Sequence, residues 1–294
     1  MSSYELVPFD APAHRDEYVR LLGEAWGNRG LSVDEFEWWF GRNPAGSILR
    51  AALVDGQLVG VGAHMLARAV VGGEEKVVSF SCHAVTSPAA GGRGIFTELQ
   101  RALDEAAQEQ GVEVVLGFGN EVTNPMFFNR LGWSDVAHYR IWARPLVRRG
   151  GEAPGADLGV DGDGAAGWPN HVIRDEPYLR WRYDDSPRPY VTLHSANGYA
   201  VVWPAKPLGS RTIAVLSDLA APAKELPGLL RQVARTAQSR FLFGLPAPTQ
   251  RRAFAAAGFV PTHLTMHLIG RGLNGPLDLD PAAWRFTLGD ADYY

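Results

Sequence analysis

The stretch Ser79–Gln110 constrains this chain more than any other, because an apolar run, a turn with three glycines in four positions and an amphipathic segment follow one another. Val77, Val78, Phe80, Cys82, Ala84 and Val85 suit a buried extended segment. Pro88 closes it, having no N–H to give a ladder. Gly91, Gly92 and Gly94 come next, and Ile95, Leu99, Ala102, Leu103 and Ala106 then recur at helical spacing as far as Gly111. A glycine turn that opens a helix leaves several backbone N–H groups aimed at one small volume. The helix dipole adds roughly half a positive charge there, which suits a phosphate or pyrophosphate. Two common phosphate motifs fail. A P-loop needs Lys-Ser/Thr after its last glycine, where Ile95-Phe96 stands, and a dinucleotide fingerprint needs a third glycine where Thr97 stands.

Composition narrows the field. With 294 residues the chain is long enough for two modest domains. A hydrophobic share of 46% and a charged share of 20% fit an ordinary globular protein. No apolar run reaches membrane-spanning length and the first residues show no signal-peptide pattern, so no membrane role and a cytoplasmic location are expected. The single cysteine, Cys82, excludes an intramolecular disulfide and a Cys-pair metal site. A net charge of -4 argues against nucleic acid as a partner.

Along the chain, Ala13–Trp26 reads as a helix, and Ser32-Val33-Asp34-Glu35 as the capping-box start of a second. Ala51–Val54, an Asp55-Gly56 turn and Leu58–Met65 form a hairpin. Leu66–Val71 and Lys76–Thr86 continue the meander around Gly72-Gly73. Val112–Phe118, Asn124–Leu131 and Asp135–Ala143 follow as strand, short helix and strand. Residues 150–169 carry seven glycines and four acids in twenty positions and read as a linker. Beyond it, Trp181-Arg182-Tyr183-Asp184-Asp185-Ser186-Pro187 echoes Trp38-Trp39-Phe40-Gly41-Arg42-Asn43-Pro44. Phe243-Gly244 echoes Phe118-Gly119, and Phe254 through Phe259 echoes Phe128 through Trp133. The second half therefore reads as a degenerate copy of the first. It has Ser217-Asp218 and Pro222 where the glycine turn belongs.

Thr86 through Phe96 resembles the coenzyme A loop of the GNAT N-acetyltransferase superfamily, and Gly119 through Trp133 is similar to that family's Asn-x-x-Ala-x-x-Phe-Tyr segment. Gly94 matches the central glycine, while Gly91 and Phe96 depart from the usual Arg/Gln and Gly/Ala. The resemblance covers residues 50–145. It implies an α+β fold of two GNAT-like domains, each a mixed central sheet flanked by helices, over 1–149 and 170–294. The second would lack the cofactor loop. It further implies acetyl-CoA or another acyl-CoA as cofactor, held by Ala84, Val85, Thr86, Gly91, Gly92, Arg93, Gly94, Ile95, Phe96, Thr97, Asn124 and Phe128.

Acyl transfer to an amine needs a neutral amine, a polarised carbonyl and a proton for the departing thiolate. The family's usual acid is a Tyr where this chain has Phe128, so that role does not carry over. His83, whose residue type titrates near neutrality, and Tyr139 are the nearby candidates, with His138 and the thiol of Cys82 behind them. The last stretch pairs aromatics with acids, so Asp290, Asp292 or the carboxylate of Tyr294 could serve as base. The expected activity is N-acylation of a small-molecule amine such as an amino sugar, an aminoglycoside-like compound or a natural-product intermediate. A non-catalytic acyl-CoA-binding scaffold and an aminoacyl transferase of related fold are the alternatives. Acceptor, acyl length and oligomeric state are not written in the sequence.

Overall fold

A computed structural model of the chain describes residues 4–27, 30–146 and 168–291. In order, the elements are β1 (Tyr4–Pro8), α1 (Ala11–Trp26), α2 (Val33–Phe36) with a π-helical turn Glu37–Gly41, β2 (Ser47–Val54), β3 (Gln57–Val71) and β4 (Glu74–Thr86). Then come α3 (Ile95–Glu109), β5 (Val114–Gly119), α4 (Asn124–Arg130) and β6 (Ser134–Pro145). After the undescribed stretch follow β7 (Asn170–Val172), α5 (Glu176–Leu179) with a π-helical turn Arg180–Asp184, β8 (Val191–Ser195), β9 (Gly198–Leu208) and β10 (Arg211–Ala220). The chain closes with α6 (Leu226–Thr236), β11 (Phe241–Gly244), α7 (Arg251–Ala256), β12 (Val260–Gly272) and β13 (Trp284–Arg285). The fold is α+β, with a mixed sheet flanked by helices.

Local chemistry sets the boundaries. Ser32 and Glu35 form a reciprocal capping box at α2, and Asp175 caps α5 through the Tyr178 N–H. Both short helices then widen, with Arg42 N–H reaching Glu37 O and Asp185 N–H reaching Arg180 O, each at 2.9 Å. Asp55 and Gly56 both have positive φ, at 51° and 77°, as a tight two-residue hairpin requires. The expected break between Met65 and Leu66 does not occur, because β3 runs unbroken to Val71. β1 was not foreseen, being five residues held by antiparallel pairing to β2.

Contacts divide the chain into two units. The first contains the residues up to Ala69, Glu74–Ala137 and His267–Pro281; the second contains Val70–Gly73, His138–Met266 and the residues from Ala282 on. This differs from the expected division at 149 and 170. The reason is an edge: β5 pairs antiparallel with the second half of β12, His267↔Gly119 through Gly272↔Val114, so the first unit needs a strand from late in the chain. In the second unit the last part of β6 pairs with β11, Trp142↔Gly244 to Pro145↔Phe241. The expected linker falls almost wholly outside the described residues.

In the first unit the strands run β1-β2-β3-β4-β5-β12; β4 and β5 pair in parallel, whereas β1–β2, β2–β3 and β5–β12 are antiparallel. Helix α3 packs Leu103, Ala106 and Ala107 against Ile48, Leu66 and Val112. It lies close to the sheet: a Cβ on Gly62 would stand 2.7 Å from Leu103 Cδ1. A second apolar cluster joins Val115, Phe127, Leu131, Trp133 and Ile269. In the second unit β8-β9-β10-β11 carry a core of Leu216, Leu229, Leu230, Val233, Leu242, Phe254 and Phe259. Among the described residues no helix is long and apolar enough to cross a membrane, and no three His, Cys, Asp or Glu side chains are grouped to hold a metal ion.

Candidate functional site

The site begins with a parting of strands. β4 and β5 pair from Val78↔Val114 to Ser81↔Gly117, and no pairing continues beyond. β5 stays with β12 through Gly119, while β4 runs on to Thr86. The turning point is His83, whose φ of 46° is rare for a side-chain-bearing residue and costly in a strand. Its carbonyl is captured from the other side by the Tyr18 hydroxyl of α1 at 2.7 Å. The result is a wedge between Cys82–Thr86 and the end of β5.

At the mouth of the wedge, Pro88–Ala90 make one 3-10 turn and Gly91–Gly94 lie exposed. Gly92 and Gly94 have φ of 75° and 78°, and a Cβ on either would meet nothing within 4 Å. Gly94 caps α3 with no side chain to take its amides, and the first helical bond runs from Glu98 N–H to Gly94 O at 3.1 Å. The amides of Ile95, Phe96 and Thr97 therefore precede the helical ladder. Arg93 is exposed beside them.

Two buried polar atoms at the wedge have no partner among the described residues: Thr86 Oγ1 at the end of β4 and Asn124 Oδ1 at the start of α4. Asn124 rests on Gly119, where a Cβ would lie within 1.9 Å of that oxygen. Orphaned polar atoms of this kind call for a hydrogen-bonding occupant. Phe96 meets Phe127 edge-on at 5.6 Å, and Phe128 is half-buried beside the same cluster. These features fit a long thin ligand with amides along its length and a pyrophosphate at one end, which is the chemistry of coenzyme A.

The first unit thus brings together His83 and every expected cofactor residue, Ala84–Thr86, Gly91–Thr97, Asn124 and Phe128. The proton-transfer candidates fare differently. The His83 side chain is 2% exposed, and its ring lies 5.8 Å from Trp26, 5.6 Å from Trp39 and 6.1 Å from Phe40. Cys82, the chain's one cysteine, is buried. Tyr139 belongs to the second unit, where its hydroxyl points to Trp284 O at 3.5 Å and burial raises its pKa well above the usual phenol range. Asp290 is engaged: Arg174 Nη2 reaches its carboxylate at 2.8 and 3.0 Å, and the Thr287 N–H reaches it at 2.7 Å. Asp292 and Tyr294 lie outside the described residues.

Sequence reading missed the polar groups beneath α3. Gln100 is wholly buried and its Oε1 accepts from Ser81 Oγ at 3.0 Å; Asp104 is 4% exposed and faces His64 of β3. A polar pair four apart on the inner face of an apolar helix, and a histidine inside the run Val61–Val70, were the available signals.

A model of an acetyltransferase (GNAT) domain matches residues 11–136. No significant match is found among curated proteins. Among solved structures, Eis1 from Mycobacterium abscessus is 16% identical with a TM-score of 0.62, over 92% of this chain and 74% of that one. A GCN5-related N-acetyltransferase from Kribbella flavida is 14% identical with a TM-score of 0.66, over 93% and 72%. A protein from Pyrococcus horikoshii, 13% identical with a TM-score of 0.61, is matched over 97% of this chain and 95% of that one. Wedge and glycine turn both fall within the residues, 11–136, that match the GNAT acetyltransferase domain model.

Proposed function

We propose that this protein is an acyl-CoA-dependent N-acyltransferase that acetylates the amine of a small molecule, with the first unit alone binding the cofactor. The observation that carries the reading is the wedge, with orphaned Thr86 Oγ1 and Asn124 Oδ1 along it and uncapped amides at its mouth. The amides of Gly92–Thr97 and the Arg93 cation hold the pyrophosphate. Ala84–Thr86 and Asn124 pair with the amide-bearing tail, and Phe96 and Phe128 form its apolar wall. When bound, the cofactor supplies an activated thioester. The chain's part is to align it, exclude water and move one proton from the amine and one to the departing sulfur.

The second unit is a copy without a cofactor site. Between β10 and α6 there is no glycine, and α6 is capped by Glu225, whose carboxylate already receives both Asn197 amide groups. An acid at that helix end repels the phosphate that Gly94 would admit.

Phe128 cannot donate a proton and the ring of His83 is enclosed by aromatics, so Asp292 and the terminal carboxylate of Tyr294 are the bases to test. Removal of 292–294 spares the buried Asp290. It is expected to lower kcat by about a hundredfold to ten-thousandfold with coenzyme A affinity and melting temperature held, as loss of acid–base help does. The function itself is tested with the full chain, acetyl-CoA and a panel of amino sugars, aminoglycosides and aryl amines, following free thiol and product mass. Coenzyme A binding without turnover on any amine would favour a scaffold, and absence of binding would remove the reading.

A further inference from the structure

Arg101 of α3 reaches Arg130 O of α4 at 3.2 Å, and a guanidinium from the sheet touches both of these helices that flank the wedge. Arg271, at the end of β12, donates from Nη1 to Asp104 Oδ2 of α3 at 3.3 Å and to Leu131 O, the cap residue of α4, at 3.1 Å. All these residues belong to the first unit. α3 presents the uncapped amides at its start, and α4 presents Asn124 and Phe128. The angle between the two helices therefore fixes how far the pyrophosphate amides stand from the wedge. Apolar contacts hold α3 on either side of this point, through Leu99 and Leu103, but its inner face at Gln100 and Asp104 is polar. We infer that Arg271 and Asp104 form a positioning pair that sets α3 against α4, and so tunes acyl-CoA affinity from a strand outside the cofactor's path. This rests on the cofactor reading given above.

The surroundings of Asp104 give the pair a signature. His64 of β3 lies with Nε2 4.0 Å from Asp104 Oδ1, and burial pushes its pKa down to about 4, so it stays neutral at ordinary pH. Burial lifts Asp104 to about 6; the Arg271 charge and the Trp133 indole oppose that rise, and Glu105 adds to it. Acid thus discharges Asp104 and releases Arg271, which should loosen cofactor binding. Its effect on folding has the opposite sign. A carboxyl whose folded pKa is raised contributes stability at low pH and loses that contribution as pH rises through 6. A merely structural pair would move affinity and stability together; a positioning pair moves them apart.

The test uses the full chain, calorimetry with coenzyme A and acetyl-CoA as probes, and thermal melts. Arg271→Met is expected to weaken coenzyme A binding about tenfold with little change in melting temperature, and Arg271→Lys to recover most of the loss. Between pH 7 and pH 5, wild type should lose affinity relative to Asp104→Asn while gaining stability relative to it. The phosphates of coenzyme A titrate equally in both proteins, so the difference isolates Asp104. Wild-type affinity in a folded Arg271→Met, or identical pH profiles for wild type and Asp104→Asn, would overturn the inference. If Arg271→Met fails to fold, the Lys variant and the pH comparison decide. Failure of wild type to bind coenzyme A would instead overturn the cofactor reading.

Discussion

The two units meet the same structural problem with opposite solutions. In each, a strand that leads toward a helix is disturbed near its end and turns a carbonyl out of the ladder. In the first unit that carbonyl belongs to His83 and is satisfied by the Tyr18 hydroxyl of α1 at 2.7 Å. In the second it belongs to Ser217, within the register shift of β10, and Gly289 N–H satisfies it at 2.7 Å. A late segment of chain thus does in one unit what a helix does in the other. The greater difference lies beyond this point. The first unit leaves the amides at the start of α3, Thr86 Oγ1 and Asn124 Oδ1 open, whereas the second, although Ser217 Oγ and Tyr199 Oη also lack partners among the described residues, fills the equivalent region with its own charges. Arg174 Nε reaches Asp218 at 2.8 Å, Tyr183 donates to the same carboxylate at 3.0 Å, and Arg182 reaches Gly289 O at 3.0 Å. A scaffold can keep a ligand site only by leaving groups unsatisfied, and can abandon one by satisfying them itself.

The comparison can be broken in several places. The largest effect is expected from ending the chain at residue 149. That removes His267–Gly272 from the edge of β5 and Ile269 from its cluster, so the fragment should lack a cooperative melt; a folded fragment would make the first unit autonomous. Gly94→Glu places a side chain at a positive φ and a negative charge against the pyrophosphate. Coenzyme A binding should fall by at least about a hundredfold. Glu225→Gly should create no second site, and calorimetry that found two sites per chain would erase the difference between the units. Arg174→Met strands Asp218 and Asp290 without their counter-charge, and urea unfolding should show a loss of about 3–5 kcal/mol with coenzyme A affinity unchanged. Tyr18→Phe removes the hydroxyl that donates to the His83 carbonyl and should cost about 1 kcal/mol, the smallest of these effects.

What was legible in the sequence was what is encoded locally. The capping box at Ser32, the turn at Asp55-Gly56 and the start of α3 at Ile95 depend on neighbours in sequence, and each stands where the residues placed it. The echo between Trp38–Pro44 and Trp181–Pro187 reappears as two π-helical turns with the same closing bond. Long-range pairing left no such mark. Nothing in His267–Gly272 states that its partner is β5, since any apolar alternation would serve either edge. The partners of Arg271 and Asp290 were hidden likewise: Asp290 read as a candidate base, and only the fold shows it 3% exposed against Arg174 and Arg271 bonded to two helices. The glycine turn marks the uncapped start of α3, but no local pattern names a proton donor, because Phe128 removes the one residue the pattern would name.

The pairing of β5 with β12 also bears on how the protein is made. A nascent chain exposes the edge of β5 once Gly119 has left the ribosome, yet the strand that covers it arrives about 150 residues later. At synthesis rates of about 5–20 residues per second, that edge waits on the order of ten to thirty seconds. Through that interval Val115, Phe127 and Trp133 lack Ile269, and the backbone of β5 presents an open template. The first unit is consequently begun first yet left incomplete until nearly the whole chain has been made, so crowding, chaperone supply and codon-dependent pauses over the second half of the message bear on the yield of the first.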